Sequence, residues 1–281
     1  MFASRNAQSY NCLFRNLSRC ANLRWIAVLP SVIFVSCQIF AQLPASSVKL
    51  AAPVRDPSAL GVLQLSLDAM GGAAAWNIVK STRVSGQYAG GDSSGQRSIT
   101  WTNDWSNGRH RFRRDTKVNG SDITYIQDGS NAPKNISNPT QPAPPTLDFV
   151  DSSIVHLPAV AITHVISDTS YGLSMIESPD QTHAKQCVRV THQMPPSVKA
   201  IWCFSPENLP SIAIISVANL THQNTLQSKR VVFDSFTQHD GLTVPSGVTI
   251  TYSWGATNHY VFSSFEPNPV LRNDTFVKGQ P

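Results

Sequence analysis

Residues 186–204 read QCVRVTHQMPPSVKAIWCF. Two runs of alternating character flank a Pro-rich turn. In an extended chain successive side chains point to opposite faces, so pairing the runs sets which residues share a face. If Cys187 faces Cys203, Arg189 lies opposite Ile201 and Thr191 opposite Lys199. Val188, Val190, Trp202 and Phe204 then fall together on the other face. A slip of one residue would put the cysteines on opposite faces. The stretch therefore predicts an antiparallel hairpin, apolar on its inner face and stapled by a disulfide from its outer face.

The same period of two runs through the chain from Ser81 onward. Val, Ile, Thr and aromatic runs are broken by Gly, Asn, Asp and Pro. Strands are expected near 81–89, 96–105, 109–118, 121–128, 162–168, 171–177, 185–192, 199–205, 210–218, 228–238, 244–254 and 258–265. In VTITYSW, 248–254, Val248, Ile250, Tyr252 and Trp254 share one face and the hydroxyl residues the other. That is a sheet with one apolar and one polar face.

NGRHRFRRD, 107–115, tests whether the chain grips nucleic acid. Asn107–Gly108 is a hairpin signal. Phe112 marks the inner face, shared with His110 and Arg114. Arg109, Arg111 and Arg113 point the other way, to solvent or to Asp and Glu partners, as on a solvated, edge-protecting face. Inward-facing His110 and Arg114 are candidates to anchor a ligand carboxylate or phosphate. The alternative for Arg114 is a rim position paired with Asp115 or Asp122.

Helical signals are few. Asp56–Pro57 is a cap followed by a residue suited to the first helical position, and Leu60, Leu63, Leu67 and Met70 follow at helical spacing. Gly71–Gly72 is the stop, and 73–80 a second short helical piece. The interval 129–161 breaks the strand pattern: a Pro/Asn/Ser loop, then LDFVDSSIVHLPAV (147–160), which has room for a short helix. Such an insertion reads either as a lid across the sheet or as a surface loop.

The first 42 residues differ in character. Arg5, Arg15, Arg19 and Arg24 precede the apolar run WIAVLPSVIFVSCQIFAQ, and no acidic residue occurs before Asp56. This is the pattern of a secretory signal peptide, with cleavage expected after Ala41. A rival reading takes FVSC as a lipoprotein signal with a lipid anchor at Cys37. Residues 43–55 read as a flexible linker and 56–281 as a single domain. The leader holds four of the 22 basic residues and none of the 17 acidic ones, so the rest of the chain carries only +1. That balance argues against nucleic acid as a partner. Beyond the leader only Cys187 and Cys203 remain of five cysteines, as suits one disulfide in an exported protein.

Motifs for chemistry are sparse. GDSSG, 91–95, matches G-x-S-x-G, which makes Ser93 or Ser94 the candidate nucleophile of a secreted serine hydrolase. A nucleophile elbow needs strand, turn and helix, whereas the flanks here read strand, turn, strand. The histidines form no HExxH and the cysteines no CxxC, so no metal is expected. No phosphate or dinucleotide loop is present, and no cofactor is expected.

Several phrases taken together resemble a known group. A helix ending in AMGG leads into AAAWNIVKSTRVSGQY and a Trp105…GRHRFRRD hairpin. CFSPENLP follows the stapled strand. FDSFTQHDGLTVPSGVTITY holds Asp240, Gly241 and Pro245 in a DG…P phrase, and NPVLRNDTF carries Asn268, Leu271 and Phe276. This resembles the periplasmic outer-membrane lipoprotein-carrier family (LolA/LolB-like), as a distant secreted relative. The resemblance implies a mainly β fold: a curved antiparallel half-barrel with helices across its concave face. It brings no catalytic residues. The disulfide and the Pro-rich insertion depart from the family's pattern.

The function expected from these readings is a non-enzymatic exported protein that binds a lipid, acyl chain or lipoprotein in an apolar concave sheet. Its location is periplasmic or secreted, and it meets membranes transiently or through Cys37. The expected lining is Trp101, His110, Phe112, Arg114, Tyr125, Trp202, Phe204, Tyr252 and Trp254. Two arrangements fit these residues: an open cleft for an acyl chain, or a closed core filled by helix 57–70, as in an envelope sensor with a protein partner.

Overall fold

The computed structural model describes residues 52–90, 97–118, 120–129, 133–140, 157–179, 184–192, 198–218 and 226–277. The leader with Ala41 and Cys37, and Ser93 and Ser94, lie outside these residues.

Helix α1, Pro57–Ala69, begins where the sequence places it. The Asp56 side chain accepts the Ser58 N–H at 2.8 Å, and Pro57 opens the first turn. Leu63, Leu67 and Met70 are buried, and Gly71 ends the helix at φ 113°. A side chain at Gly71 would also press on the Gly241 carbonyl. Helix α2, Gly72–Asn77, buries Trp76, whose indole N–H donates to the Met70 carbonyl at 2.9 Å.

Among the described residues, twelve antiparallel strands make one open, curved sheet. In chain order they are β1 Ser81–Gly90, β2 Arg97–Asp104, β3 Arg111–Val118, β4 Ser121–Asp128, β5 Lys134–Asn135, β6 Tyr171–Ile176, β7 Gln186–His192, β8 Val198–Phe204, β9 Pro210–Ala218, β10 Leu226–His239, β11 Leu242–Tyr252 and β12 Thr257–Pro267. Their order in the sheet is β5-β4-β3-β2-β1-β12-β11-β10-β9-β8-β7-β6. Two meanders, β1–β5 and β6–β12, therefore meet at a central seam where β1 pairs with β12. Helix α3, Pro158–Ser167, lies in the connection that takes the chain from the β5 edge to the β6 edge, and it packs on α1.

Most strands fall within two or three residues of their expected limits. The exceptions are β5, which was not expected in the interval 129–161, and 162–168, which is helical. Pro158 opens α3, and Ala159, Ile162 and Val165 are buried at a spacing of three, the period of a helix and not of a strand. Of the window 147–160, where a short helix was expected, residues 147–156 lie outside the described residues, and α3 takes up 158–160.

The stapled hairpin has the register read from its sequence. Cys187 pairs with Cys203, Arg189 with Ile201 and Thr191 with Lys199. The disulfide links the two strands. Val188, Val190, Trp202 and Phe204 join the main core. On the opposite face the disulfide is itself buried, in a small apolar cluster with Ala184 and Ile212, against which Ile176, Ile201 and Ile214 pack.

Residues 54–56 are docked on the sheet. Leu173 N–H donates to the Val54 carbonyl at 2.9 Å and Asp56 N–H to the Leu173 carbonyl at 3.0 Å. This short parallel bridge covers part of the β6 edge, where unpaired backbone groups would otherwise face solvent. The Arg55 guanidinium donates to the carbonyls of Val165, Ile166 and Asp168 at 2.8–2.9 Å. It thus satisfies free carbonyls at the C-terminus of α3, where a cation is favoured.

The outward arginines find the carboxylate partners that the sequence reading allowed, and only Arg109, just before β3, is also exposed. Arg109 pairs with Asp128 at 2.8 Å. Arg111 pairs with buried Asp104 and lies over the Phe276 ring, 4.6 Å from its centre. Arg113 is 4% exposed. It grips both oxygens of Asp115 at 2.7 and 2.8 Å and donates to the Thr275 carbonyl at 2.7 Å. The cause is the C-terminal segment 268–277, which crosses this face. The Asn268 side chain pins its start by accepting the Lys80 and Ser81 N–H groups.

Candidate ligand site

The concave face carries one continuous apolar core from edge to edge. Alternate residues of each strand enter it: Val84 on β1, Ile99 and Trp101 on β2, Phe112 on β3, Tyr260 and Phe262 on β12, Val248 and Ile250 on β11. Helices α1 and α3 add Leu63, Leu67 and Ile162 from above.

Toward the start of β2 this face opens into a cavity of about 290 Å³. Its walls are Tyr88, Ile99, Tyr252 and Tyr260, with Arg97, Arg114, Thr116 and Asn258 among them. Tyr88 and Tyr260 stack with ring centres 5.5 Å apart, and Trp101 lies 5.1 Å from Tyr260. Arg97 stands over Tyr88 and donates to its hydroxyl at 3.3 Å. Arg114 stands over the Tyr125 ring, 4.8 Å from its centre. Cations held on ring faces keep their charge while the rings supply an apolar wall. Gly90 faces Asn258 across the strands, and any side chain there would overlap Asn258. The arrangement offers aromatic surface with two guanidinium groups, suited to an amphiphile with an anionic or strongly polar end.

The residues singled out from sequence divide in four. Trp101, Arg114, Tyr125 and Tyr252 lie at or beside this cavity: Arg114 is the cross-strand partner of both Trp101 and Tyr125. Phe112, Trp202 and Phe204 are in the core, each 3% exposed or less. Trp254 departs from the pattern. The strand ends at Tyr252, and Trp254 sits in the following turn, stacked on Tyr252 at 4.5 Å and 54% exposed.

His110 lies at the far end of the β2–β3 hairpin from Arg97. Its ring stacks on Trp105 at 5.2 Å, and Nε2 is 2.9 Å from Asn103 Oδ1. Burial pushes its pKa down to about 4, against the opposing pull of Asp104. At neutral pH it is an uncharged, packed side chain. Asp104 titrates low. Burial, the largest influence, works against this, but hydrogen bonds from the Ser106 side chain and backbone and the Arg111 partner outweigh it.

Tyr88, Arg97, Asn258 and Tyr260 were missed. Arg97 and Tyr88 do share strand parity with Ile99 and Val84, the signal that placed Arg114 inside.

Chemistry for catalysis is thin among the described residues. Thr249, Asp234 and His259 meet on the outer face, with Thr249 Oγ1 2.8 Å from Asp234 Oδ2 and 3.0 Å from His259 Nδ1. Here the hydroxyl lies between the other two, and it donates its proton to the carboxylate. A nucleophile triad needs the imidazole in the middle. No group of three or more His, Cys, Asp or Glu among the described residues is arranged to hold a metal. No described helix is long and apolar enough to cross a membrane.

Solved structures align with 78% of this chain. A LolA superfamily protein from Nitrosomonas europaea is 11% identical, with a TM-score of 0.45 over 78% of this chain and 97% of that one. A domain assigned to outer membrane lipoprotein sorting, from Vibrio parahaemolyticus, is 10% identical, with a TM-score of 0.44 over 78% and 96%. A DUF1329 family protein from Desulfovibrio piger is 10% identical, with a TM-score of 0.42 over the same shares. No family model matches the chain, and no curated protein matches it.

Proposed function

We propose that the chain is an exported, non-enzymatic protein that binds a lipid, an acyl chain or the acylated end of a lipoprotein on the concave face of its sheet. The observation that carries this reading is the cavity of about 290 Å³ at the open end of that face, where Tyr88, Tyr252 and Tyr260 surround Arg97 and Arg114. The apolar part of the ligand lies along the tyrosines and Ile99, and its polar end meets the guanidinium groups. Each methylene removed from water contributes about 0.8 kcal/mol, so a modest stretch of chain suffices for firm binding. A longer chain requires α1 and α3 to shift from the sheet. The leader read in residues 1–42 supports a periplasmic or secreted location, with cleavage after Ala41 or an anchor at Cys37.

The test is native mass spectrometry on protein exported to a periplasm and purified without detergent. The expected result is an adduct of lipid mass that organic extraction removes, and that is lost in the Arg97→Gln, Arg114→Gln double variant. The same spectrum separates cleavage after Ala41 from lipidation at Cys37.

A second reading has one observation in its favour. Trp101, Phe112, Trp202 and Phe204 are almost wholly buried beneath or beside the helices. A bare mass that stays bare after incubation with membrane lipids would overturn the carrier reading. It would favour a filled sheet serving as an envelope sensor with a protein partner.

A further inference from the structure

A second cavity, of about 500 Å³, lies on the opposite, convex face. Its floor is built by strand register. Arg83 on β1, Thr102 on β2 and Arg113 on β3 form one row across the strands, and Ser85, Thr100 and Asp115 form the next. Ser85 and Thr100 hydroxyls touch at 3.0 Å. The roof is the C-terminal segment, pinned by Asn268 at one end and by Arg113 on the Thr275 carbonyl at the other. Arg272 and Asp274 look into the space from this roof, and Val270 is the one apolar side chain in its lining.

The charges here are matched. Arg83 pairs with Glu266 at 3.0 Å, Arg113 with Asp115, and Arg272 with Asp274 at 3.7 Å. A phosphate entering the cavity would meet Asp115 and Asp274 as well as Arg83, Arg113 and Arg272, so at most one positive charge of the lining is left to draw an anion. What it offers is a dense mixture of fixed donors and acceptors with little apolar surface. A sugar hydroxyl both donates and accepts, and neighbouring hydroxyls match paired guanidinium and carboxylate groups. We infer that this cavity is a binding site for a neutral saccharide, separate from the concave site. The exposed pairs Arg83–Glu266 and Arg272–Asp274 hold little energy against exchange with a ligand. Arg113–Asp115 is buried and serves as the rigid wall.

The experiment is saturation-transfer NMR on the full chain with N,N′-diacetylchitobiose, maltotriose and inorganic phosphate, followed by titration. Saturable binding of at least one saccharide is expected. Losing a hydrogen bond to a charged group is expected to weaken it about tenfold in Arg83→Ala. Thr100→Val should weaken it in the same direction, and Arg97→Gln on the other face should leave it unchanged. Both convex-face variants are checked for an unaltered melting temperature, and either alone decides the outcome if the other misfolds. No saturable saccharide binding, or binding equal in the wild type and the convex-face variants, overturns the site. Binding of phosphate without either saccharide overturns the ligand class.

Discussion

His110 couples the fold to pH. Stacked on Trp105 and bonded to Asn103, it is held neutral, with its pKa lowered from 6.5 to about 4. In the unfolded chain it takes up a proton near pH 6.5; in the folded protein it does so only near 4. Between those values the unfolded state binds more protons, so stability is full above about pH 6.5 and falls as the pH drops toward 4. The loss expected is about 3 kcal/mol. Urea denaturation at intervals from pH 7 to 4 measures it, and His110→Gln should flatten the curve. An unchanged slope in that variant would assign the acid sensitivity to the carboxylates. Side-chain direction at this scale was legible in sequence, since parity alone turned Arg114 inward and Arg113 outward. Whether outward meant solvated was not legible. Residues 268–277 cover Arg113, and their arrival depends on Asn268 meeting Ser81, 187 positions away.

The stapled β7–β8 hairpin is the element whose geometry was clearest beforehand. Cysteine spacing and apolar alternation both demanded one register, and two independent constraints leave little freedom. Its disulfide closes a loop of sequence separation 16. Such a closure contributes about 3 kcal/mol by restricting the unfolded chain. The double variant Cys187→Ala, Cys203→Ala is expected to lose about that much in denaturant titration. Binding at the concave site should persist, because the disulfide packs in a separate cluster on the outer face. Intact stability would mean that the cluster around Ile212 holds the hairpin without the bond. Helix α3 was hidden for the opposite reason. Its residues AITHVIS satisfy a strand's composition, and only Pro158 and a buried spacing of three mark the helix. Propensity is a weak prior when tertiary packing on α1 decides the outcome.

At the scale of the molecule, one seam joins two meanders. β1 pairs with β12 across nearly the whole described chain, with a bulge at Ser85/Gly86. A side chain at Gly86 would overlap the backbone of Val261 and Phe262. Gly86→Val is therefore expected to cost about 1–3 kcal/mol through overpacking. Calorimetry should still show one transition, since Trp101 and Phe262 tie the halves through a shared core. Two separated transitions would mean that the meanders melt independently.

The sequence by itself determined most of the strands, the faces of their side chains, the Cys187–Cys203 register and the start of α1. These follow from backbone periodicity and from contacts between neighbours along the chain. Tertiary structure alone decided the β1–β12 seam, the docking of Arg55 on α3, the C-terminal roof over Arg113 and the two cavities on opposite faces. Each brings together residues far apart in the chain. Which partners meet there depends on how the whole sheet curves and on what is left to cover it, and no local period encodes that.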